Sequence, residues 1–230
     1  MLSPARPLGY GAAMDSAHYA PPDTPLSILH EDAKLLVLDK PAGLLSVPGK
    51  GPELADCLFA RAQAAFPTLR LVHRLDRDTS GVIVFALDAH AQRHLGLQFE
   101  NRQVRKTYVA RVAGDMAEEE GVIDLPIAVD WPNRPRQMVC AETGRPARTA
   151  WKVVRRGAGW TRVRLFPETG RSHQLRVHML ALGHPILGDP LYGDASTQAA
   201  APRLMLHSER LRLRHPDGGR HMSFTAPAPF

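Results

Sequence analysis

The nonapeptide His73-Arg74-Leu75-Asp76-Arg77-Asp78-Thr79-Ser80-Gly81 is dense in ionisable groups and runs directly into a β-branched apolar stretch. A polar loop at the mouth of a rigid strand holds reactive side chains still and leaves them open to a substrate. Arg74 and Arg77 flank Asp76, and neighbouring cations favour the ionised carboxylate that a nucleophile or base requires. Asp78 follows two residues later, but two carboxylates without a third acid or a histidine make a weak metal site. A second segment, Glu168-Thr169-Gly170-Arg171-Ser172-His173-Gln174-Leu175-Arg176-Val177-His178-Met179-Leu180, enters a helix that Ser172 is expected to cap and Gly183 to stop. Leu175, Met179 and Leu182 fall at i, i+4 and i+7, with Val177 and Leu180 beside them, so Arg176 is expected to be buried. A guanidinium desolvated alone is costly and needs an anion, for which Asp76 is the candidate. His173 and His178, five residues apart, fall on different helix faces and do not make a zinc pair. The third segment, Lys106-Thr107-Tyr108, follows Arg102 and Arg105. An aromatic ring among cations can stack a nucleobase whose phosphates the cations hold, although a strand tyrosine more often serves a core.

Positioning these groups falls to short elements. Leu35-Leu36-Val37-Leu38 predicts a buried strand that ends in the turn Lys40-Pro41-Ala42-Gly43. Leu54, Leu58, Ala62 and Ala65 recur at helical spacing up to Phe66-Pro67. Gly81 to Ala86 is apolar on both faces and predicts a central strand, after which Asp88 caps a helix to about Phe99. Further strands are expected over Thr107 to Val112, Ala150 to Val154, Trp160 to Leu165 and Leu211 to Leu213. Strands outnumber helices and links are short, which points to an α+β domain with a mainly antiparallel sheet over residues 26–230. Residues 1–25 hold five Pro and no periodicity, and are expected to form a flexible tail.

Composition narrows the class. The chain has 230 residues, 44% of them hydrophobic, and no apolar run approaches the roughly 20 residues of a membrane span. Cys57 and Cys140 are too few for a disulfide framework or a cysteine zinc cage. The net charge is +6, and of the 29 cations only Lys34, Lys40, Lys50, Lys106 and Lys152 are lysines. Arginine forks onto phosphate and stacks on bases, so nucleic acid is a candidate partner. The basic excess lies beyond residue 70. Arg210, Arg212 and Arg214 share one face of a strand, as do Arg162 and Arg164; both stripes, with no acid between them, are expected to meet phosphates.

The Lys40–Gly43 turn, the His73–Gly81 loop, Lys106-Thr107-Tyr108 and Gly170-Arg171-Ser172-His173-Gln174-Leu175-Arg176-Val177-His178 together resemble the RluA family of RNA pseudouridine synthases, over about residues 26–230. Asp130-Trp131-Pro132-Asn133-Arg134-Pro135 and His184-Pro185-Ile186-Leu187-Gly188-Asp189 resemble its short branch, which lacks an S4 domain. The resemblance implies a pseudouridine synthase fold with a cleft across the sheet. The implied reaction breaks the N1–C1′ bond of a uridine, turns the uracil and rejoins it through C5 without a cofactor. By the same resemblance Asp76 is the nucleophile or base, with attack on the sugar and removal of a C2′ proton both open. Arg176 pairs with it, Tyr108 stacks on the uracil and helps remove the C5 proton, and Arg74 fills the place of the flipped base. His73 and Arg77 shape the loop, with His73 and Arg171 also facing RNA. The implied substrates are uridine-746 of 23S rRNA and uridine-32 of the tRNA anticodon stem-loop. A cytoplasmic monomer without metal is expected.

Overall fold

The computed structural model of the chain describes residues 19–230. In chain order its elements are β1 (Ile28–Glu31), β2 (Leu35–Lys40), α1 (Leu58–Ala65), β3 (Arg70–Leu71), β4 (Ser80–Ala86), α2 (Ala89–Glu100), β5 (Arg105–Ala113), β6 (Glu120–Asp124), β7 (Ile127–Val129), β8 (Gln137–Val139), β9 (Arg148–Gly157), β10 (Trp160–Pro167), α3 (Gln174–Ala181), α4 (Ala195–Ala199), β11 (Leu206–Arg214) and β12 (His221–Thr225). Every residue of β4 is buried, as its two apolar faces demand. Ile83 and Phe85 pack with Leu36 and Leu38 against Leu58 and Ala62 of α1. Val82 and Val84 pack with Val37 against Ala91 and Leu95 of α2.

Ten strands form the main sheet, in the order β1-β2-β4-β11-β5-β10-β9-β6, with β3 added to β4 and β12 to β11. Every pairing is antiparallel except β4 with β11, so the architecture is α+β with a mixed, mainly antiparallel sheet. That parallel contact depends on Gly81. Its φ is +108°, and a Cβ there would lie 2.3 Å from the Ser208 carbonyl oxygen. Only glycine allows both the conformation and the approach.

Three boundaries differ from the sequence reading. Leu54 belongs to a separate 3-10 turn, Pro52–Leu54, and α1 starts at Leu58 with the Cys57 thiol as its cap. α3 is not capped by Ser172. The chain enters it through His173 in the left-handed conformation with no side-chain cap, and the Gln174 side chain turns back to accept the Arg171 N–H. Of the expected tail, residues 1–18 lie outside the described residues. Residues 19–25 are held to the body: the Tyr19 hydroxyl donates to Asp56 O and accepts from Leu45 N–H, and Arg61 donates to Pro22 O.

Candidate active site

Asp76 is fastened through the backbone on both its sides. The Ser46 hydroxyl donates to Leu75 O at 2.7 Å and accepts from Leu75 N–H at 3.1 Å. On the other side the carbonyl of Arg77 accepts from the Gly43 N–H and from Lys40 Nζ, at 3.0 and 2.8 Å. Lys40 is fully buried, and its ammonium also donates to Pro41 O and Leu44 O. Burial pushes it down to about 7, but three carbonyls each taking one N–H favour the charged form. The Lys40–Gly43 turn is therefore the clamp that fixes the backbone under Asp76.

The loop opens onto a cleft of about 300 Å³ whose wall includes His73, Arg74, Asp76, Lys106, Tyr108 and His173. Tyr108 comes from β5, where it stands opposite Ser208 of β11. Burial, assisted by the charge of Asp76, pushes its phenol up to about 12, so at neutral pH the hydroxyl keeps its proton and is a donor, not a ready base. Lys106, two residues earlier on the same side of β5, donates to Thr169 O at 3.0 Å and is pushed down to about 8 by burial and by Arg102. His73 stacks on Phe99 at 4.6 Å, and its Nε2 accepts the Val84 N–H. Burial pushes it down to about 3, so the ring is neutral and ties the loop to β4.

Arg176 is 2% exposed, but Asp76 is not its main partner. Its Nε and Nη2 donate to the two carboxylate oxygens of Asp189, at 2.8 and 2.6 Å, and Asp189 is fully buried. Nη1 alone faces Asp76, at 3.7 Å. The physical reason is burial. The Asp76 carboxylate keeps 29% of its surface in solvent and cannot offset the desolvation of a buried guanidinium, whereas Asp189 forks onto it and also accepts from Leu191 N–H and Tyr192 N–H. Asp189 was not read as a site residue, although a carboxylate following Ile186-Leu187-Gly188 was itself a sign of a buried anion needing a cation. His178 is structural, with its two ring nitrogens engaged by Thr149 Oγ1 and Leu125 O.

The cations divide between two faces. Arg74 is exposed on the cleft, and Arg171 stands beside Arg145 and Arg102 with its own Nε donating to Pro146 O. The two stripes are not brought to the cleft. Leu165 of β10 opposes Tyr108, so Arg164 and Arg162, opposite Val109 and Arg111, point to the reverse face. Arg210 and Arg212 oppose Thr107 and Arg105, again away from Lys106, and Arg214 continues their side of β11. Nor are the stripes free of acid. β11 bulges between Ser208 and Arg210, and Glu209 at the bulge accepts from Arg164 at 3.0 Å.

Comparison with known proteins agrees with this architecture. Residues 34–181 match the family model for RNA pseudouridylate synthase. The chain is 54% identical over 219 residues to the dual-specificity RNA pseudouridine synthase RluA of Escherichia coli K12, covering 94% of this chain and all of that protein. It is 54% identical over 204 residues to the Yersinia pestis protein of the same description, covering 88% and 99%. Among solved structures, human RNA pseudouridylate synthase domain containing 1 superposes with a TM-score of 0.76 at 31% identity, covering 92% of this chain and 87% of that one. Human RNA pseudouridylate synthase domain containing 4 gives a TM-score of 0.71 at 28% identity, covering 88% of each chain. With a family model spanning most of the chain, near-full-length relatives above half identity and the same fold around the Asp76 cleft, the chain belongs to the RluA family of RNA pseudouridine synthases.

Proposed function

We propose that this RNA pseudouridine synthase uses Asp76 to isomerise uridines in both ribosomal and transfer RNA, at uridine-746 of 23S rRNA and uridine-32 of the tRNA anticodon stem-loop. The observation that carries the catalytic part is one carboxylate, clamped at Leu75 and Arg77, faced by Arg176 at 3.7 Å and open to a cleft walled by a neutral tyrosine. The dual specificity in the names of the bacterial relatives supports the two classes of substrate.

The N1–C1′ bond breaks with its electron pair going to N1. Asp76 either forms an ester at C1′ or removes the C2′ proton to leave a glycal. The freed uracil turns about and C5 bonds to C1′, either displacing the Asp76 carboxylate from the ester or as Asp76 returns its proton to C2′ of the glycal; the C5 proton then leaves, and N1 takes one up. Atoms balance without a cofactor, so position and electrostatics are what the protein supplies. In this scheme Tyr108 stacks on the uracil, Arg74 occupies the space of the flipped base, and Arg171 with its neighbours holds phosphates. None of the described helices is long and apolar enough to cross a membrane. A cytoplasmic monomer remains part of the proposal.

The test maps pseudouridine by carbodiimide adducts and primer-extension stops in RNA from a strain lacking the enzyme, complemented with wild type or Asp76→Asn. The wild type restores stops at the two sites. Asp76→Asn restores neither, while its RNA Kd stays within about threefold, because an amide keeps the size of the side chain but cannot act as nucleophile or base. Stops restored by Asp76→Asn overturn the catalytic assignment, and stops elsewhere overturn the substrates.

A further inference from the structure

His173 was set aside as a metal ligand, and the mechanism above gives it no part, yet the structure holds it with unusual care. Its φ is +54°, a left-handed conformation that costs a non-glycine residue energy and persists where surrounding contacts impose it. Those contacts define its tautomer. Nδ1 lies 2.7 Å from the Tyr192 hydroxyl, which also accepts the Gln137 N–H of β8 at 2.7 Å. Tyr192 is 5% exposed and its phenol is pushed up to about 12 by burial, so it keeps its proton and must donate it. The acceptor in range is Nδ1. Burial also favours the neutral imidazole at His173, so the one ring hydrogen sits on Nε2.

Among the described residues no protein group takes that Nε2–H, and the ring is part of the cleft wall that carries Asp76 and Tyr108. The chemistry there needs such a donor. When N1 leaves C1′ with the electron pair, the charge spreads onto the carbonyl oxygens of the uracil ring. Arg176 is committed to Asp189 and Asp76, and one Lys106 hydrogen to Thr169 O. A neutral N–H fixed in direction before the reaction stabilises a developing anion without having to reorganise.

We propose that His173 is a catalytic residue, its Nε2–H donating a hydrogen bond to a uracil carbonyl oxygen as the base leaves the sugar, with Tyr192 as the positioning residue that fixes its tautomer. This rests on the cleft being the uridine site. Because Tyr192 is held in turn by β8, the β7–β8 hairpin and the cleft are joined by two consecutive hydrogen bonds.

The experiment measures single-turnover rate and RNA Kd on an anticodon stem-loop for wild type, His173→Leu, His173→Gln and Tyr192→Phe, with melting curves for each. His173→Leu slows the reaction on the order of 100-fold, the scale of one lost oxyanion donor, with Kd within about threefold. His173→Gln, whose amide N–H reaches close to the position of Nε2, recovers much of that loss, and Tyr192→Phe slows the reaction several-fold. The 15N spectrum of histidine-labelled wild type shows His173 protonated at Nε2, and Tyr192→Phe loses that preference. A His173→Leu rate within threefold of wild type, a glutamine variant as slow as the leucine one with normal melting, or an Nδ1-protonated ring overturns the proposal. Wild type that turns over none of the RNA overturns the uridine site itself, and this role with it.

Discussion

Two carboxylates meet Arg176, and their surroundings give them different work. Asp189 has no access to water and forks onto the guanidinium, whereas Asp76 meets Nη1 at 3.7 Å with more than a quarter of its side chain exposed. Removing one partner of a buried pair strands the other, at about 3–5 kcal/mol. Asp189→Ala is therefore expected to destabilise the fold by that amount, read from urea unfolding. Asp76→Asn, which leaves Asp189 in place, should shift the same transition by less than about 1 kcal/mol, in keeping with a part-exposed contact. The sequence showed that Arg176 needs an anion but named Asp76. Distance along the chain and local pattern do not reveal which of two acids becomes fully desolvated, and that decides the pairing. A swapped result, with Asp76→Asn the more damaging, would mean that the Asp76 contact is the structural one.

At the scale of elements, what the chain makes legible depends on whether a local pattern alone determines the outcome. β4 and α2 were readable because an unbroken apolar run needs cover on both faces and because Asp88 has a free N–H to accept, from Ala91. The β7–β8 hairpin was not, since three-residue strands carry no period. The reversal of the arginine stripes was hidden as well: the face each residue takes depends on pairing register, and the register of β11 changes at the Glu209 bulge. Gly81 combines both cases, as its type was visible at the loop's end but the strand it admits was not. Gly81→Ala is expected to cost more than about 3 kcal/mol, from a disfavoured φ plus a clash with the Ser208 backbone. Because Ser208 stands opposite Tyr108, the same change should lower the rate of pseudouridine formation even in the fraction that stays folded. Wild-type melting would show that β4 and β11 can separate without harm.

For the whole molecule the question is where its positive charge is felt. Arg74, Arg102, Arg145 and Arg171 gather on the cleft side, while Arg162, Arg164, Arg210 and Arg212 face the other way and Arg164 is neutralised by Glu209. RNA that delivers a uridine to Asp76 must lay its phosphates near the first group. Each phosphate contact by a cation contributes about 0.7–0.9 to the slope of log K against log salt, through release of counterions. Replacing Arg145 and Arg171 together by glutamine is expected to reduce the slope for an anticodon stem-loop by between one and two. The triple change Arg210→Gln, Arg212→Gln and Arg214→Gln should leave it within about half a unit, although it removes one more charge. Filter-binding titrations from low to moderate salt separate the two cases, because total charge alone predicts the larger effect for the triple variant. If the triple variant does flatten the slope, the RNA must wrap past the edge of the sheet onto the reverse face. The footprint would then extend well beyond one stem-loop, and protection of RNA from nuclease would show it as a longer covered segment.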